Sequence, residues 1–228
     1  KFMERREFLK RSLSALIASS QPAVAQTNAL TEETKPKKIY LTIDDGPGKY
    51  TRLILDNLRG NHAVFYIIGS CAISKSGISS AEEMILEGNI LGNHSYSHAV
   101  FSRTSTDKIK WEIEKTDEII EKIYKNIGIK RPVRLFRFPY GDDGNSCNKN
   151  QIKDFLNSLD YKIQFWDVDT LDWRYYSKNH QLSTESIMNL CSKAKEGNIV
   201  LVHERDFTAN NIIPFYAQSG KYNLILPA

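Results

Sequence analysis

Five apolar runs of strand length recur along this chain with helical patterns between them, and that alternation limits the fold more than any other feature. The runs are Ile39–Ile43, Ala63–Ile68, Val133–Phe138, Ile163–Val168 and Ile199–Val202. Thr51–Leu58 has a helical pattern after the first run. Ser79 and Glu82 are spaced as a capping box, opening a short helix that Gly88 closes. Ile109, Ile113, Thr116, Ile120, Tyr124 and Ile127 step by threes and fours, which predicts one long amphipathic helix over 107–128. That helix reads as scaffold without a functional role. Gln151–Leu159 and Thr184–Ala194 supply two further helices. Strands alternating with helices imply parallel βα units. About five to eight of them fit residues 37–228, giving a single-domain α/β fold, a distorted or incomplete (β/α) barrel.

Composition narrows the classes of function. The chain has 228 residues, 41% apolar and 25% charged, as in ordinary globular domains. No run of 18 apolar residues occurs, so stable membrane insertion through a spanning helix is not expected. Of the formal net charge of +4, a net +3 falls in residues 1–25. The remainder has no basic patch that calls for nucleic acid. Residues 1–25 resemble a twin-arginine export leader: Arg5-Arg6-Glu7-Phe8-Leu9-Lys10, an apolar stretch Leu13–Ala18, and a small-residue site Ala23-Val24-Ala25. A basic amphipathic helix is the alternative for this segment. Residues 26–36 read as a polar linker, and the domain follows at 37–228. An exported protein, periplasmic or extracellular and monomeric, is expected. Cys71, Cys147 and Cys191 have no metal-type spacing. Cys191 falls on an apolar helix face and is expected to be buried, whereas pairing of Cys71 with Cys147 is left open.

The reactive residues cluster where strands end. Asp44 and Asp45 close the first run before Gly46-Pro47. Adjacent carboxylates there can be simple turn formers, or one can hold a metal while the other takes a proton. His94 and His98 are two of only five histidines and lie at i, i+4, a spacing that on a helical turn lets both grip one ion. One carboxylate with two histidines leaves a coordination position open, as catalytic metal sites do. Arg137, in Arg137-Phe-Pro-Tyr-Gly141, can fork onto a carboxylate, and the Tyr140 backbone N–H can face a developing oxyanion. Asp169-Thr-Leu-Asp172-Trp173 follows the fourth run, its Trp173 suited either to the core or to stacking on a sugar face. His203, leaving the last run, suits a general acid. In a βα barrel the C-terminal strand ends converge on one face, which would gather all five clusters.

Their order resembles the polysaccharide deacetylases of the NodB-homology group, carbohydrate esterase family 4. That family's T-F-D-D-G-P, H-[ST]-x-x-H, R-x-P-x-G, D-x-x-D-W and L-x-H patterns match Thr42–Pro47, His94–His98, Arg137–Gly141, Asp169–Trp173 and Leu201–His203. Ile43 stands where phenylalanine is usual. The resemblance implies one divalent metal, zinc foremost with cobalt, nickel or manganese as alternatives, held by Asp45, His94 and His98. It implies Asp44 as base oriented by Arg137, His203 as acid tuned by Asp172, an oxyanion contact from Tyr140, and an acetyl pocket shaped by Trp173 and Leu201. The implied partner is an acetylated polysaccharide: peptidoglycan first, then chitin-like polymers. O-deacetylation of a polymer such as xylan, or metal-dependent sugar binding without turnover, is the alternative. The brief stretch after His203 suggests a groove that is open at its closing end.

Overall fold

A computed structural model describes residues 35–227. The leader expected at 1–25, and the linker except Lys35 and Pro36, lie outside the described residues. Eight strands pair in parallel: β1 (Lys37–Asp44), β2 (Val64–Ile67), β3 (Ile90–Asn93), β4 (Leu135–Phe136), β5 (Lys162–Ile163), β6 (Val168–Asp169), β7 (Ile199–His203) and β8 (Tyr222–Leu224). Helices α1 (Thr51–Leu58), α2 (Lys75–Leu86), α3 (Thr106–Asn126), α4 (Lys149–Ser158), α5 (Thr184–Ser192) and α6 (Ile213–Gln218) lie between them. The hydrogen-bonded order is β5-β4-β3-β2-β1-β7-β6, with β8 on the first residues of β1. β5 and β6, consecutive in sequence, are thus opposite edges of the sheet. The barrel expected from the sequence is an incomplete one, open at this seam.

Alternation along the strands separates two sets of side chains. Ile39, Leu41, Ile43, Phe65, Ile67, Leu91, Val200 and Val202 join the helices in the main core. The intervening Val64, Tyr66, Ile90 and Leu135 form a small cluster of their own, filling the inside of the curl. Register sets Asp44 beside Tyr66 on one side and His203 on the other, with Gly92 beside Tyr66. A Cβ at Gly92 would lie 2.5 Å from Tyr66 Cδ1, so only glycine lets the ring occupy that layer. A second core joins α3 and α4 to β4 through Ile109, Ile113, Ile152, Leu156, Phe136 and Phe138.

α3 forms as its periodicity predicts, with the Ser105 Oγ accepting from the Lys108 N–H at its start. α2 corrects the capping-box expectation. It starts at Lys75, capped by Ser74, whose Oγ accepts from Gly77 N–H at 3.0 Å, and Ser79 and Glu82 are interior. The run Ile163–Val168 is not one strand: its ends belong to β5 and β6, and residues 164–167 cross the seam. Val133–Phe138 pairs only at Leu135 and Phe136. β8 and α6 close the chain where the sequence showed little. Cys71, Cys147 and Cys191 are free thiols, Cys191 buried. No helix among the described residues is long and apolar enough to cross a membrane.

Candidate active site

The C-terminal ends of β1, β3, β4, β6 and β7 open into a cleft of about 430 Å³ lined by Asp44, Asp45, His94, His98, Tyr140, Trp166, Asp169, Trp173, Leu201, His203 and Arg205, among others. Arg137 and Asp172 stand behind this lining, fully buried. All ten candidate residues from the sequence therefore meet in one place.

Asp45, His94 and His98 offer one ligand atom each, all within 4.8 Å of one another. Asp45 Oδ1 lies 3.4 Å from His98 Nε2 and 3.7 Å from His94 Nε2. That oxygen is buried and has no hydrogen-bond partner, a deficit that a cation would make good. His94 Nδ1 donates to the Arg137 carbonyl at 2.9 Å, which leaves the Nε2 lone pair facing the other two ligands. Burial, with the charge of His98 adding to it, pushes His94 down to about 3. Burial also lowers His98, against the pull of Asp45 and Asp44. Both rings are neutral at pH 7, as metal ligands must be. The residues fit a divalent cation.

These histidines are not on a helical turn. His94–His98 is a loop in which Ser95 and His98 take φ of 63° and 59°, and it is these left-handed turns that bring the two Nε2 atoms to 3.2 Å. Glu112, buried on α3, fixes the loop by accepting from Ser97 N–H at 2.6 Å and Ser97 Oγ at 2.8 Å. Asn93 adds a bond from Ser95 N–H and donates to the Ile113 carbonyl and Tyr161 hydroxyl. α3 is thus more than scaffold. Its sequence signal was a carboxylate set within an otherwise apolar stripe, between Ile109 and Ile113.

Asp44 Oδ1 accepts from Arg137 at 2.9 Å, and its other oxygen lies 3.5 Å from His94 Nε2. Burial raises the Asp44 pKa, and the Arg137 guanidinium opposes it. Across the β1–β7 ladder, His203 Nδ1 donates to Asp172 Oδ1 at 2.7 Å, leaving Nε2 free for the cleft. Asp172 also accepts from the backbone N–H groups of Trp173 and His203 and from the Thr208 hydroxyl. Thr208 opens a π-helical turn, Thr208–Ile212, a distortion frequent at working sites. Burial alone would lower His203, but the bonded Asp172 carboxylate outweighs it and lifts the ring to about 9. Burial raises Asp172, and the His203 bond more than reverses that, leaving it lowered. His203 is therefore an imidazolium at neutral pH.

Five of the seven non-glycine residues with positive φ among the described residues, namely Asp45, Ser95, His98, Tyr140 and Leu171, lie in the loops of this cleft. Such backbone costs about 1–3 kcal/mol per residue and collects where function requires it. The Tyr140 ring is two-thirds exposed, 4.3 Å from the His98 ring, and Trp173 is 42% exposed at the rim. Glu204 was not anticipated. It accepts from Tyr50 N–H at 3.1 Å and Thr51 Oγ1 at 2.8 Å, bracing the turn after Asp45. A Cβ on Gly46 or Gly48 would lie within 2.8 Å of a Glu204 oxygen, so those glycines and that carboxylate form one packed unit.

A reactive cleft at the C-terminal ends of parallel strands places the protein in the barrel class of catalytic α/β folds. The polysaccharide deacetylase family profile matches residues 31–164, and the chain belongs to that family. Asp172 and His203 lie beyond the matched stretch. The chain is 35% identical over 178 residues to the peptidoglycan-N-acetylmuramic acid deacetylase PdaC of Bacillus subtilis, covering 76% of this chain and 34% of that one. It is 30% identical over 198 residues to the peptidoglycan-N-acetylglucosamine deacetylase PgdA of Listeria monocytogenes, covering 86% and 36%. This chain thus spans about a third of the length of both relatives. The structure of a family 4 carbohydrate esterase from Streptomyces lividans superposes with a TM-score of 0.69, at 24% identity over 86% of this chain and 95% of that one, and supports the fold.

Proposed function

We propose that this chain is a metal-dependent deacetylase that hydrolyses the N-acetyl groups of amino sugars in a polysaccharide, with peptidoglycan as the leading polymer and chitin-like chains next. The observation that carries the proposal is the pairing of a buried carboxylate with an imidazolium across one ladder, Asp44 facing His203, beside the Asp45–His94–His98 triad. The relatives named above act on the two amino sugars of peptidoglycan, according to their names, and those sugars differ by a 3-O-lactyl ether bearing a carboxylate. The leader read in residues 1–25 agrees with a polymer outside the cytoplasm.

Asp45, His94 and His98 would hold a divalent cation, zinc foremost, which when bound would supply Lewis acidity toward the acetyl carbonyl and lower the pKa of water to ~7. Asp44, held by Arg137, takes the proton from the attacking water as its oxygen bonds to the carbonyl carbon. The Tyr140 backbone N–H meets the oxyanion that forms. His203 gives its proton to the sugar nitrogen as the C–N bond breaks, so that amine and acetate leave. Asp172 keeps His203 charged and oriented, while Leu201 and Trp173 shape the acetyl pocket.

The experiment is acetate release from N-acetylchitooligosaccharides and purified peptidoglycan, after chelation, with and without added Zn²⁺. Metal-dependent acetate is expected. Asp44→Asn and His203→Ala should each lower turnover about 10²–10⁴-fold. His98→Ala should lose bound metal together with activity, as measured by metal analysis of the purified protein. Acetate from acetylated xylan alone would replace the amide reading with an ester one. Sugar binding with bound metal and no acetate would make the protein a binder.

A further inference from the structure

Arg205 follows His203 by two residues, lines the cleft, and has no function in the chemistry above. Its nearest carboxylate oxygen, Asp45 Oδ2, is 4.0 Å from its terminal nitrogen, too far for a hydrogen bond. Its Nε is buried with no hydrogen-bond partner, although the side chain as a whole is 39% exposed. The flanking carboxylates do not serve it. Glu204 is committed to Tyr50 and Thr51, and Asp206 accepts from Asn210 and the Tyr176 hydroxyl. Arg137, by contrast, makes four hydrogen bonds, to Thr42, Asp44 and the carbonyls of Gln164 and Phe165. His203 commits Nδ1 to Asp172, and its Nε2 serves the leaving nitrogen. Arg205 is thus a cation of the cleft with donors that neither the fold nor the chemistry above uses, and Asp45, the carboxylate within 4.0 Å of it among the described residues, belongs to the metal triad.

We propose that Arg205 is a specificity-determining residue that binds a carboxylate carried by the substrate next to the acetamido group; this rests on the deacetylase reading above. A guanidinium presents a planar fork matched to a carboxylate, and a neutral N-acetylglucosamine chain has none to offer. A sugar with a carboxyalkyl ether at O3 carries one a few bonds from the acetamide at C2. Arg205 selects such acidic sugars over neutral ones. The carboxylate belongs either to the ether itself or to a peptide attached through it.

The test compares kcat/KM for acetate release by the zinc-loaded protein on three substrates: glycan with free lactyl carboxylates, glycan whose lactyl groups are amidated by peptide, and neutral chitooligosaccharide. The parent should prefer a charged substrate. Arg205→Gln should cut the charged-to-neutral ratio about ten- to hundredfold, the loss of a charged hydrogen-bonded pair, and Arg205→Lys should fall between. Whichever charged glycan loses its advantage identifies the source of the carboxylate. A second readout is calorimetric binding of the same oligosaccharides to Asp44→Asn protein, with and without Arg205→Gln, in which only acidic sugars should lose affinity. Thermal midpoints confirm that each variant is folded. Equal losses on charged and neutral substrates, accompanied by changed zinc affinity, would make Arg205 a partner of Asp45 and overturn the proposal. An unmoved ratio would also overturn it while leaving the deacetylase reading standing. No acetate from any amide substrate by the parent would remove that reading and this inference together.

Discussion

β1 pairs with β7 over five residues and with β2 over three, whereas β4, β5 and β6 contribute two residues each. On the first flank the backbone ladder fixes the geometry, and Asp44 and His203 sit opposite each other as a consequence of register. On the second flank side chains do the fixing. Arg137, just past β4, reaches the carbonyls of Gln164 and Phe165 in the segment leaving β5, each at 3.2 Å, and Asp44 and Thr42 of β1. It also lies 4.2 Å over the Tyr66 ring, and the Tyr66 hydroxyl bonds to Gln164. One arginine therefore both orients the candidate base and ties the segment after β5 to β1 in the middle of the sheet. A ladder spreads its strength over many bonds. A crossover with few backbone bonds and one buried cation at its carbonyls concentrates it.

The sharpest way to break the comparison is Arg137→Met. It leaves the buried Asp44 carboxylate and two seam carbonyls without their partner and should cost about 3–5 kcal/mol, with acetate release lost. Hydrogen exchange should rise at residues 162–169 before it rises in β1 and β7. A uniform rise would show that the seam is no separate unit. Next in size is the His203–Asp172 tie between β7 and the loop after β6. The folded pKa of His203, about 9, is above the ordinary value near ~6.5, so the folded protein holds the extra proton between those limits. That stabilisation is complete below about pH 6.5 and is lost as pH rises through about 9. Urea unfolding of the chelated protein should show a decline of at most about 3 kcal/mol over this window, and His203→Asn should flatten it. The smallest effect belongs to the ladder flank. Gly92→Ala presses a methyl into the Tyr66 ring and should cost about 1–3 kcal/mol, lowering the thermal midpoint without selective exchange at the seam.

This contrast also governs what the sequence revealed. Ile39–Ile43 and Ile199–Val202 were recognisable because both faces of those strands are buried, which leaves continuous apolar runs. Ile163–Val168 has a similar composition, but its Gln164 N–H bonds to Phe136 and its Asp167 N–H to Ile199 on the other edge, while the Gln164 and Phe165 carbonyls accept from Arg137, and no local pattern encodes that division. α2 was misplaced because Gly77 weakens its first turn. A Cβ there would lie 2.0 Å from the Cys71 carbonyl oxygen, so close packing overrides helix propensity. The site was far easier to read than its supports. Asp44, Asp45, Arg137, Tyr140, Asp172, Trp173, Leu201 and His203 were visible at or beside the ends of apolar runs, and His94 and His98 by their spacing alone, since β3 before them was not anticipated. Glu112, Asn93, Thr208 and Glu204 act through distant contacts that only the folded chain brings about. The left-handed φ values of Ser95 and His98 were equally hidden, because residues other than glycine carry them.

The β1–β7 register has a consequence for how the molecule matures. Every ligand of the triad is present once the chain has folded through β4, including the Arg137 carbonyl that sets the His94 tautomer. Asp44 gains His203 as its neighbour only when the last fifth of the domain docks against β1, a contact between segments from opposite ends of the sequence. Such remote pairings carry a large loop-closure cost and form late. During refolding, cation uptake should therefore precede the return of turnover. The interval between the two would time the closure of the sheet.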